Sequence, residues 1–316
     1  MLQINILDQL LENFLSKVPE LSAVLVVDLD GLIIAQKSVK GFDEEIIGAI
    51  MSILEQTISK IKRFAETSYG SGTFDTNEFR LFYLELGGAL FVLVADPYSD
   101  IEKFIPYSYL VAEKVSLLLN NRDPSISLPE LNKAGHGIKK PKNGSLDNKV
   151  IFNQILLIGS RKVGKSSLLS MYIKGEPVEN YKPTIGASFI EKDLKLTNRI
   201  KLKFYIFDLS GIKAFAKVRR FLYPQTDAVI FLFDYTNEES LTQVTEWIEE
   251  ARHFIKEKDI PYVLAGNKID LVEDRASLRG EAQKLADQYN CAFFEISALT
   301  GQGVDELFTH LISGFM

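Results

Sequence analysis

The sequence has little cysteine and histidine and lacks a long apolar run. Its 316 residues include one cysteine, Cys291, and three histidines, which excludes an intramolecular disulfide and a multi-cysteine metal site. The longest apolar stretch, residues 23–35, is interrupted by two aspartates and a glycine and is too short to span a bilayer. The termini show neither a signal-peptide charge pattern nor a prenylation cysteine. We therefore expect a cytoplasmic protein with no membrane anchor of its own.

An excess of positive charge is also missing. The formal net charge is −6, and residues 1–120 carry 17 acidic and 9 basic side chains, whereas residues 149–316 carry 22 of each. Nucleic-acid-binding domains usually present a basic patch, so we expect no nucleic-acid partner. Hydrophobic residues make up 46% and charged residues 25% of the chain, as in ordinary globular proteins, and the length suggests two domains.

A segment rich in proline, glycine and lysine separates the two halves of the chain. Residues 120–148 contain three prolines and three glycines, and their apolar positions show no period. The segment is either a flexible coil or an ordered connector wrapped on one of the domains. We therefore predict domains at residues 1–119 and 149–316, joined by a linker at 120–148.

The first half predicts the order helix, two strands, helix, three strands, helix. Apolar periodicity favours helices over 4–17 and 43–61 and strands at 23–27, 32–35, 72–74, 80–86 and 89–94. Asp30-Gly31 and Gly87-Gly88 are typical of hairpin turns. A last helix falls within 101–119, where Pro106 either kinks the helix or begins it. Since this half has no histidine or cysteine, a structural or interaction module is the best interpretation.

The element order, the run VVDLDGLIIA at 26–35 and the Gly87-Gly88 hairpin resemble a Roadblock domain. This resemblance covers about residues 1–120 and implies an α/β domain. Members of that family pair through a helix and a sheet edge and dock on small GTPases. The resemblance therefore implies homodimerisation and a regulatory role.

The second half begins with a phosphate-binding pattern. An apolar run at 150–158 predicts a buried strand, and it leads into GSRKVGKS at 159–166, which matches G-x-x-x-x-G-K-[ST]. In this pattern backbone N–H groups surround the phosphates, the lysine brings a full positive charge, and the serine hydroxyl ligates Mg²⁺. The predicted nucleotide contacts in this loop are Arg161, Lys162, Val163, Gly164, Lys165, Ser166 and Ser167.

Three later segments indicate which nucleotide binds. An apolar strand at 204–207 ends in Asp208-Leu-Ser-Gly211, which places a carboxylate to hold Mg²⁺ through water and an N–H group to reach a γ-phosphate. The segment Asn267-Lys268-Ile269-Asp270 offers a carboxylate that can accept two hydrogen bonds from guanine but not from adenine. The backbone of Ser297-Ala298-Leu299 can meet the guanine O6. This pattern argues against a P-loop ATPase or kinase.

Together with Tyr181-Lys-Pro-Thr184-Ile-Gly, these motifs resemble a Ras-superfamily small GTPase over residues 149–316. The resemblance implies a P-loop G domain with a mostly parallel six-stranded sheet, flanking helices and a site at the carboxyl ends of the strands. It implies GTP or GDP as ligand and Mg²⁺ as cofactor, with Ser166, Thr184 and Asp208 as the metal-binding residues. It also implies an exchange factor, an activating protein and an effector as partners.

Two positions depart from the family pattern. Ile212 follows Gly211, where many members carry the glutamine that orients the attacking water. Arg161 stands in the phosphate loop where a small residue is common; its bulk excludes a partner's arginine finger, or its charge substitutes for one. The other predicted catalytic positions, Lys165, Thr184 and Gly211, carry the residues that the family pattern requires. We therefore expect slow hydrolysis without a partner. The alternative is a non-hydrolysing pseudo-GTPase scaffold that assembles a complex through the Roadblock surface.

The remaining notable side chains favour structural interpretations. Arg219 and Arg220 are predicted to be solvated or to face a partner. Trp247 shares a helical stripe with apolar residues and is predicted to pack in the core, and Cys291 to behave as a small hydrophobic residue.

Overall fold

A computed structural model describes residues 2–39, 50, 70–131, 138–139, 149–178, 184–195, 200–211, 215–256 and 259–315. The chain divides into two compact units, Met1–His136 and Gly137–Met316, each with its own sheet. None of the helices in the described part of the chain combines the length and the apolar character that crossing a membrane requires.

The first unit is built on a five-stranded antiparallel sheet with the strand order β2-β1-β5-β4-β3. Its described elements are α1 (Leu2–Lys17), β1 (Leu21–Asp28), β2 (Ile33–Ser38), β3 (Ser71–Asp75), β4 (Arg80–Glu85), β5 (Ala89–Ala95) and α2 (Ile105–Leu119). The predicted helix over 43–61 lies, apart from Ile50, outside the described residues.

The core of this unit follows from its apolar runs. Every residue of β5 is buried, as expected for the central strand of a sheet that is covered on both faces. On α1 the predicted apolar periodicity is confirmed at Leu7, Leu10, Leu11 and Phe14, which are buried, whereas Ile4 is exposed. Phe14 packs its ring 6.0 Å from that of Phe91 and 5.8 Å from that of Tyr107. Pro106 lies at the beginning of α2, where a missing N–H group costs nothing, so the predicted helix starts there rather than being kinked.

The β1–β2 turn is longer than a two-residue hairpin. The chain turns between Asp28 and Ile33, and Gly31 adopts a left-handed φ of 84°, which glycine allows without steric cost. The Asp28 carboxylate accepts hydrogen bonds from the N–H groups of Asp30 at 2.9 Å and Leu32 at 2.8 Å. The aspartate therefore stabilises the loop that the glycine makes possible.

The first part of the predicted linker is held against the helices of the first unit. Tyr107 donates its hydroxyl hydrogen bond to the Pro129 carbonyl, and Lys114 donates to the Ser125 carbonyl. From α1, the Asn13 side chain donates to the Ile126 carbonyl at 3.2 Å. Residues 125–129 are thus an ordered connector on their own unit, while 132–137 and 140–148 lie outside the described residues.

The second unit contains a six-stranded sheet with the order β11-β10-β9-β6-β8-β7. Its strands are β6 (Lys149–Gly159), β7 (Ala187–Lys195), β8 (Ile200–Leu209), β9 (Ala228–Asp234), β10 (Tyr262–Asn267) and β11 (Ala292–Glu295). Its helices are α3 (Lys165–Lys174), α4 (Ala216–Leu222), α5 (Glu238–Ile255), α6 (Ala276–Gln288) and α7 (Val304–Ser313). Only β7 pairs antiparallel in this sheet, so the predicted mostly parallel six-stranded architecture is confirmed.

Parallel pairing brings the carboxyl ends of five strands, β6, β8, β9, β10 and β11, to one edge of the sheet. The register aligns Gly159 at the end of β6 with Leu232, and Asn267 at the end of β10 with Asp234. On the other side of β6, Leu157 pairs with Asp208. Polar residues that are far apart in the sequence therefore meet at this edge, as is general for open α/β sheets.

Candidate nucleotide-binding site

The loop between β6 and α3 contains glycines that the local packing requires. Gly164 adopts a left-handed φ of 98°, and a Cβ atom there would lie 2.2 Å from the Asn267 amide nitrogen. A larger residue would push this side chain away. Within the loop, Arg161 and Lys162 are exposed, Val163 is buried and Ser167 is half-buried. The loop thus presents the charged side chains of Arg161 and Lys162 to solvent.

Lys165 is buried at the start of α3. Its ammonium group donates hydrogen bonds to the carbonyls of Gly159 and Ser160, both at 2.8 Å. Burial lowers the pKa of Lys165 to about 8, and Asp208 acts in the opposite direction. The side chain therefore folds back over its own loop, where a phosphate would rest.

Three side-chain oxygens converge beside this lysine. Ser166 donates a hydrogen bond from its hydroxyl to one carboxylate oxygen of Asp208. Thr184 Oγ1 lies 3.3 Å from Ser166 Oγ and 3.4 Å from the same Asp208 oxygen. The other carboxylate oxygen, Asp208 Oδ1, is buried without a hydrogen-bond partner in the described part of the chain, and burial raises the pKa of Asp208.

These oxygens fit a magnesium ion. Mg²⁺ is bound in proteins by hard oxygen donors, usually one or two carboxylates together with hydroxyls, waters and substrate phosphates. A buried carboxylate oxygen without a partner is costly unless a cation or water meets it. Asp208 Oδ1 satisfies this description, and the hydroxyls of Ser166 and Thr184 lie against Oδ2, the other oxygen of the same carboxylate.

Gly211 lies directly against the phosphate loop. A Cβ atom at Gly211 would be 2.4 Å from the Gly159 carbonyl oxygen and 2.9 Å from the Arg161 nitrogen, so any larger residue would force the two loops apart. Ile212 and residues 179–183 lie outside the described residues.

The buried side-chain amide of Asn267 links the predicted guanine-binding segment to the phosphate loop. Asn267 donates from its side-chain nitrogen to the Val163 carbonyl at 2.8 Å and accepts at its side-chain oxygen from the Ala298 N–H at 2.9 Å. Both ends of this side-chain amide thus hold the two loops together. It thus orients the base-binding segment relative to the phosphates.

Asp270 and Ser297 lie on neighbouring loops at the same edge. The Ser297 hydroxyl donates to Asp270 Oδ1 at 2.5 Å, and Ser297 also caps the N–H group of Thr300 at 3.0 Å. Lys268 forms an ion pair with Asp234, the last residue of β9. Leu299 is exposed. The structure therefore brings together every described residue of the predicted base site around one surface, with Leu299 at its outer margin.

The contribution of helix α5 to the site is not predicted from the sequence. Ser160 donates its hydroxyl hydrogen bond to the Gln243 side chain on α5. The prediction that Arg219 is solvated or faces a partner is wrong: only 2% of the residue is exposed, and its guanidinium forms two hydrogen bonds with Glu250, at 2.7 and 3.1 Å. Arg220 is exposed.

Comparison with protein families matches residues 154–316 to the Ras family. The chain belongs to the Ras family. Two curated relatives agree with this assignment. GTP-binding protein YPT53 of Saccharomyces cerevisiae is 34% identical over 164 residues, which cover 50% of this chain and 74% of the relative. GTP-binding protein ypt5 of Schizosaccharomyces pombe is 34% identical over 169 residues, or 53% of this chain and 80% of the relative.

Membership of the Ras family establishes the general activity. The protein is a small GTPase that binds GTP and GDP with Mg²⁺ and hydrolyses GTP. The matched region contains β6 from Gln154 onward and every later element of the second unit. The nucleotide-binding edge described above lies entirely within it.

Proposed function

We propose that the second unit is a GTP-controlled switch in which Lys165 contacts the outer phosphates while Ser166, Thr184 and Asp208 hold Mg²⁺. The observation that carries this proposal is the unpartnered Oδ1 of the Asp208 carboxylate, whose other oxygen contacts two hydroxyls. When bound, Mg²⁺ neutralises charge on the phosphate oxygens. The chain's own contribution is to place its oxygens and the Lys165 ammonium around a fixed position.

The switch itself rests on two segments that meet the γ-phosphate. Thr184 completes the metal site only with GTP bound, and the Gly211 N–H reaches the γ-phosphate. The loss of that phosphate removes both contacts, so the flanking segments change position. Strands β7 and β8 lie between these segments and form the surface on which an effector reads the nucleotide state.

Guanine is held by the segment after β10. Asp270 accepts hydrogen bonds from the base. The Ala298 N–H, which donates to Asn267, shares its hydrogen with the guanine O6, and Asn267 and Lys268 support this arrangement. The 2.5 Å contact from Ser297 to Asp270 orients the carboxylate, which supports its role as a fixed acceptor. An adenine would leave this charged acceptor without its donors, and such an unpaired polar group is penalised strongly.

Hydrolysis by the isolated protein is slow in this proposal. Ile212 cannot hydrogen-bond a water molecule, and phosphoryl transfer depends mainly on positioning and electrostatics. Arg161 is exposed at the entrance of the loop, where its bulk excludes an arginine finger from a partner. An activating protein therefore has to complete the site by another route.

The first unit acts as a Roadblock module that pairs two chains and regulates the switch. Its five-stranded antiparallel sheet supports this assignment. Among the described strands β3 pairs with β4 alone, so β3 is an edge strand of this sheet. We expect light scattering of the full-length protein to give twice the mass of one chain. A monomeric mass across the micromolar range would contradict this part of the proposal.

Nucleotide content and turnover separate the switch from the scaffold alternative. Freshly purified protein is analysed for bound nucleotide, and then GDP exchange and single-turnover GTP hydrolysis are measured. The switch predicts bound guanine nucleotide that exchanges and turns over slowly. Permanently bound GTP without turnover, or no nucleotide, would support the scaffold, and a rate well above that of ordinary unaided small GTPases would contradict slow hydrolysis.

A further inference from the structure

One face of helix α5 contacts both the phosphate loop and helix α4. Gln243, Trp247 and Glu250 are spaced four and three residues apart, so they share a face of the helix. Gln243 accepts the hydrogen bond from Ser160 in the phosphate loop. Glu250 pairs with Arg219 on α4, which follows Gly211 in the chain. The phosphate loop and the segment after β8 are thus attached to the same rigid element.

The Arg219–Glu250 pair is geometrically defined, with Arg219 buried and Glu250 partly exposed. The guanidinium makes two hydrogen bonds to the carboxylate and lies with its central carbon 4.8 Å from the centre of the Trp247 ring. Tyr223 donates a third hydrogen bond to Glu250, at 3.1 Å. Bidentate pairs of this kind combine charge with a fixed planar orientation, so Arg219 has little freedom to move.

The pair is connected to both segments that are proposed to meet the γ-phosphate. One guanidinium nitrogen of Arg219 lies 3.5 Å from the carbonyl oxygen of Ser210, the residue before Gly211. The Ser210 N–H donates at 2.8 Å to the carbonyl of Gly186, two residues after Thr184. A continuous set of contacts therefore runs from α5 through Arg219 and Ser210 to the segment that holds Thr184.

From these contacts we infer that Arg219 is a positioning residue that holds Gly211 in place for the γ-phosphate, with Glu250 as its anchor on α5. This inference rests on the proposed contact between Gly211 and the γ-phosphate. GDP lacks that phosphate, so the ion pair contributes to GTP binding and not to GDP binding. If Arg219 had only a structural role, replacing it would lower the affinities for GTP and for GDP alike.

The test compares the affinity of the full-length protein for a non-hydrolysable GTP analogue with its affinity for GDP, both with Mg²⁺. Arg219→Lys retains the charge but loses the bidentate geometry, and Glu250→Gln retains the shape but loses the charge. We expect the ratio of the two affinities to fall about tenfold in either variant. The affinity for GDP should change by less than about twofold, since GDP makes no contact with the positioned glycine.

Two neighbouring residues provide matched controls. Arg220→Lys and Glu249→Gln make the same chemical changes at exposed positions one residue away, and they should leave the ratio unchanged. A third variant, Gly211→Ala, tests the placement of the glycine itself. If Gly211→Ala lowers the ratio while Arg219→Lys and Glu250→Gln do not, the inference is overturned and the proposed site stands. If Gly211→Ala also leaves the ratio unchanged, the proposed γ-phosphate contact fails, and the inference with it.

The sole tryptophan gives an independent readout. Trp247 is the one tryptophan in the sequence, it is 5% exposed, and the guanidinium of Arg219 lies over its ring. We expect its fluorescence to differ between the GDP-bound and GTP-analogue-bound wild type, and this difference to disappear in Glu250→Gln. An unchanged difference in Glu250→Gln would contradict the inference even if Arg219→Lys failed to fold.

Discussion

Asn267 and Val163 join the two halves of the nucleotide-binding site. The Asn267 side chain donates a 2.8 Å hydrogen bond to the Val163 carbonyl, although 104 residues separate the two in the sequence. Asn267 is 1% exposed, so this bond is protected from competition by water. The same amide accepts a hydrogen bond from Ala298. The distance between the phosphate loop and the base-binding loops therefore depends on one side chain.

Replacing this asparagine should weaken every guanine nucleotide alike. In Asn267→Asp, the donor to Val163 is lost and a carboxylate faces a carbonyl oxygen in a buried place, which costs about 1–3 kcal/mol or more. We therefore expect affinity for both GDP and GTP to fall at least tenfold, measured by displacement of a fluorescent nucleotide. Gln288→Glu, an amide-to-acid change at an exposed position of α6, serves as the control. A selective loss of GTP affinity would contradict this role.

Asp270→Asn should change base preference. A neutral amide can donate a hydrogen bond where the carboxylate only accepts, so the variant should bind xanthosine triphosphate better than GTP, whereas the wild type prefers GTP. Competition binding with both nucleotides measures the shift. Glu273→Gln removes a charge at an exposed position nearby and should leave the preference unchanged. Unchanged selectivity in Asp270→Asn would mean that the base binds elsewhere.

Ile212→Gln should accelerate hydrolysis. A glutamine at this position can orient the attacking water, and we expect single-turnover GTP hydrolysis to rise by a factor on the order of ten. Nucleotide affinity should stay within about twofold, since the water-orienting group acts mainly in the transition state. A rate no higher than that of the wild type would show that another part of the site limits catalysis.

Arg161→Gly separates the two roles considered for that arginine. If Arg161 only blocks access to the loop, its removal leaves the intrinsic rate of the isolated protein unchanged, and this is the result we expect. If its charge substitutes for an arginine finger, the rate falls, because such an arginine stabilises charge in the transition state. Single-turnover hydrolysis of the variant beside the wild type distinguishes the two. Lys174→Gly, which removes a positive charge at an exposed position in the last turn of α3, is the control.

Much of the second unit could be predicted because its chemistry demands particular residue types at fixed spacing. The phosphate loop, Asp208 and Asn267 each follow a strand whose apolar run is visible in the sequence, and the parallel sheet brings them to one edge. Strand ends differ by one to several residues from the predicted ones, since pairing continues into polar positions, as at Lys149 in β6.

The buried state of Arg219 could not be predicted in the same way. Its partner Glu250 is 31 residues away on another helix, and an ion pair between helices leaves no period in either segment. For a related reason, the sequence does not show whether the connector at residues 125–129 is flexible or ordered. Its composition is the same whether it is free or docked. Single hydrogen bonds from the side chains of Tyr107, Lys114 and Asn13 to its carbonyls hold it against the first unit.

The stability of the first unit should depend on pH through Lys114. Burial lowers the pKa of this lysine from 10.5 to about 8, so between these values the unfolded chain binds more protons than the folded one. The free energy of unfolding therefore rises with pH above 8, by about 2 kcal/mol up to pH 9.5. Below pH 8 the lysine is protonated in both states and the burial penalty is present in full.

Lys114→Met should remove that rise. Chemical denaturation of the full-length protein with and without GDP identifies the transition of the first unit, because a ligand stabilises only the unit that binds it. The slope of unfolding free energy against pH, from 8 to 9.5, should be smaller in the variant than in the wild type. Equal slopes would show that Lys114 does not titrate in this range.

The most direct test of the account is calorimetric titration of the full-length protein with GTP, GDP and ATP, each with and without Mg²⁺. We predict that GTP with Mg²⁺ binds at least ~1,000-fold tighter than ATP, and that removing Mg²⁺ or introducing Asp208→Asn weakens binding. Equal affinity for adenosine and guanosine nucleotides, or binding indifferent to Mg²⁺, would contradict the account.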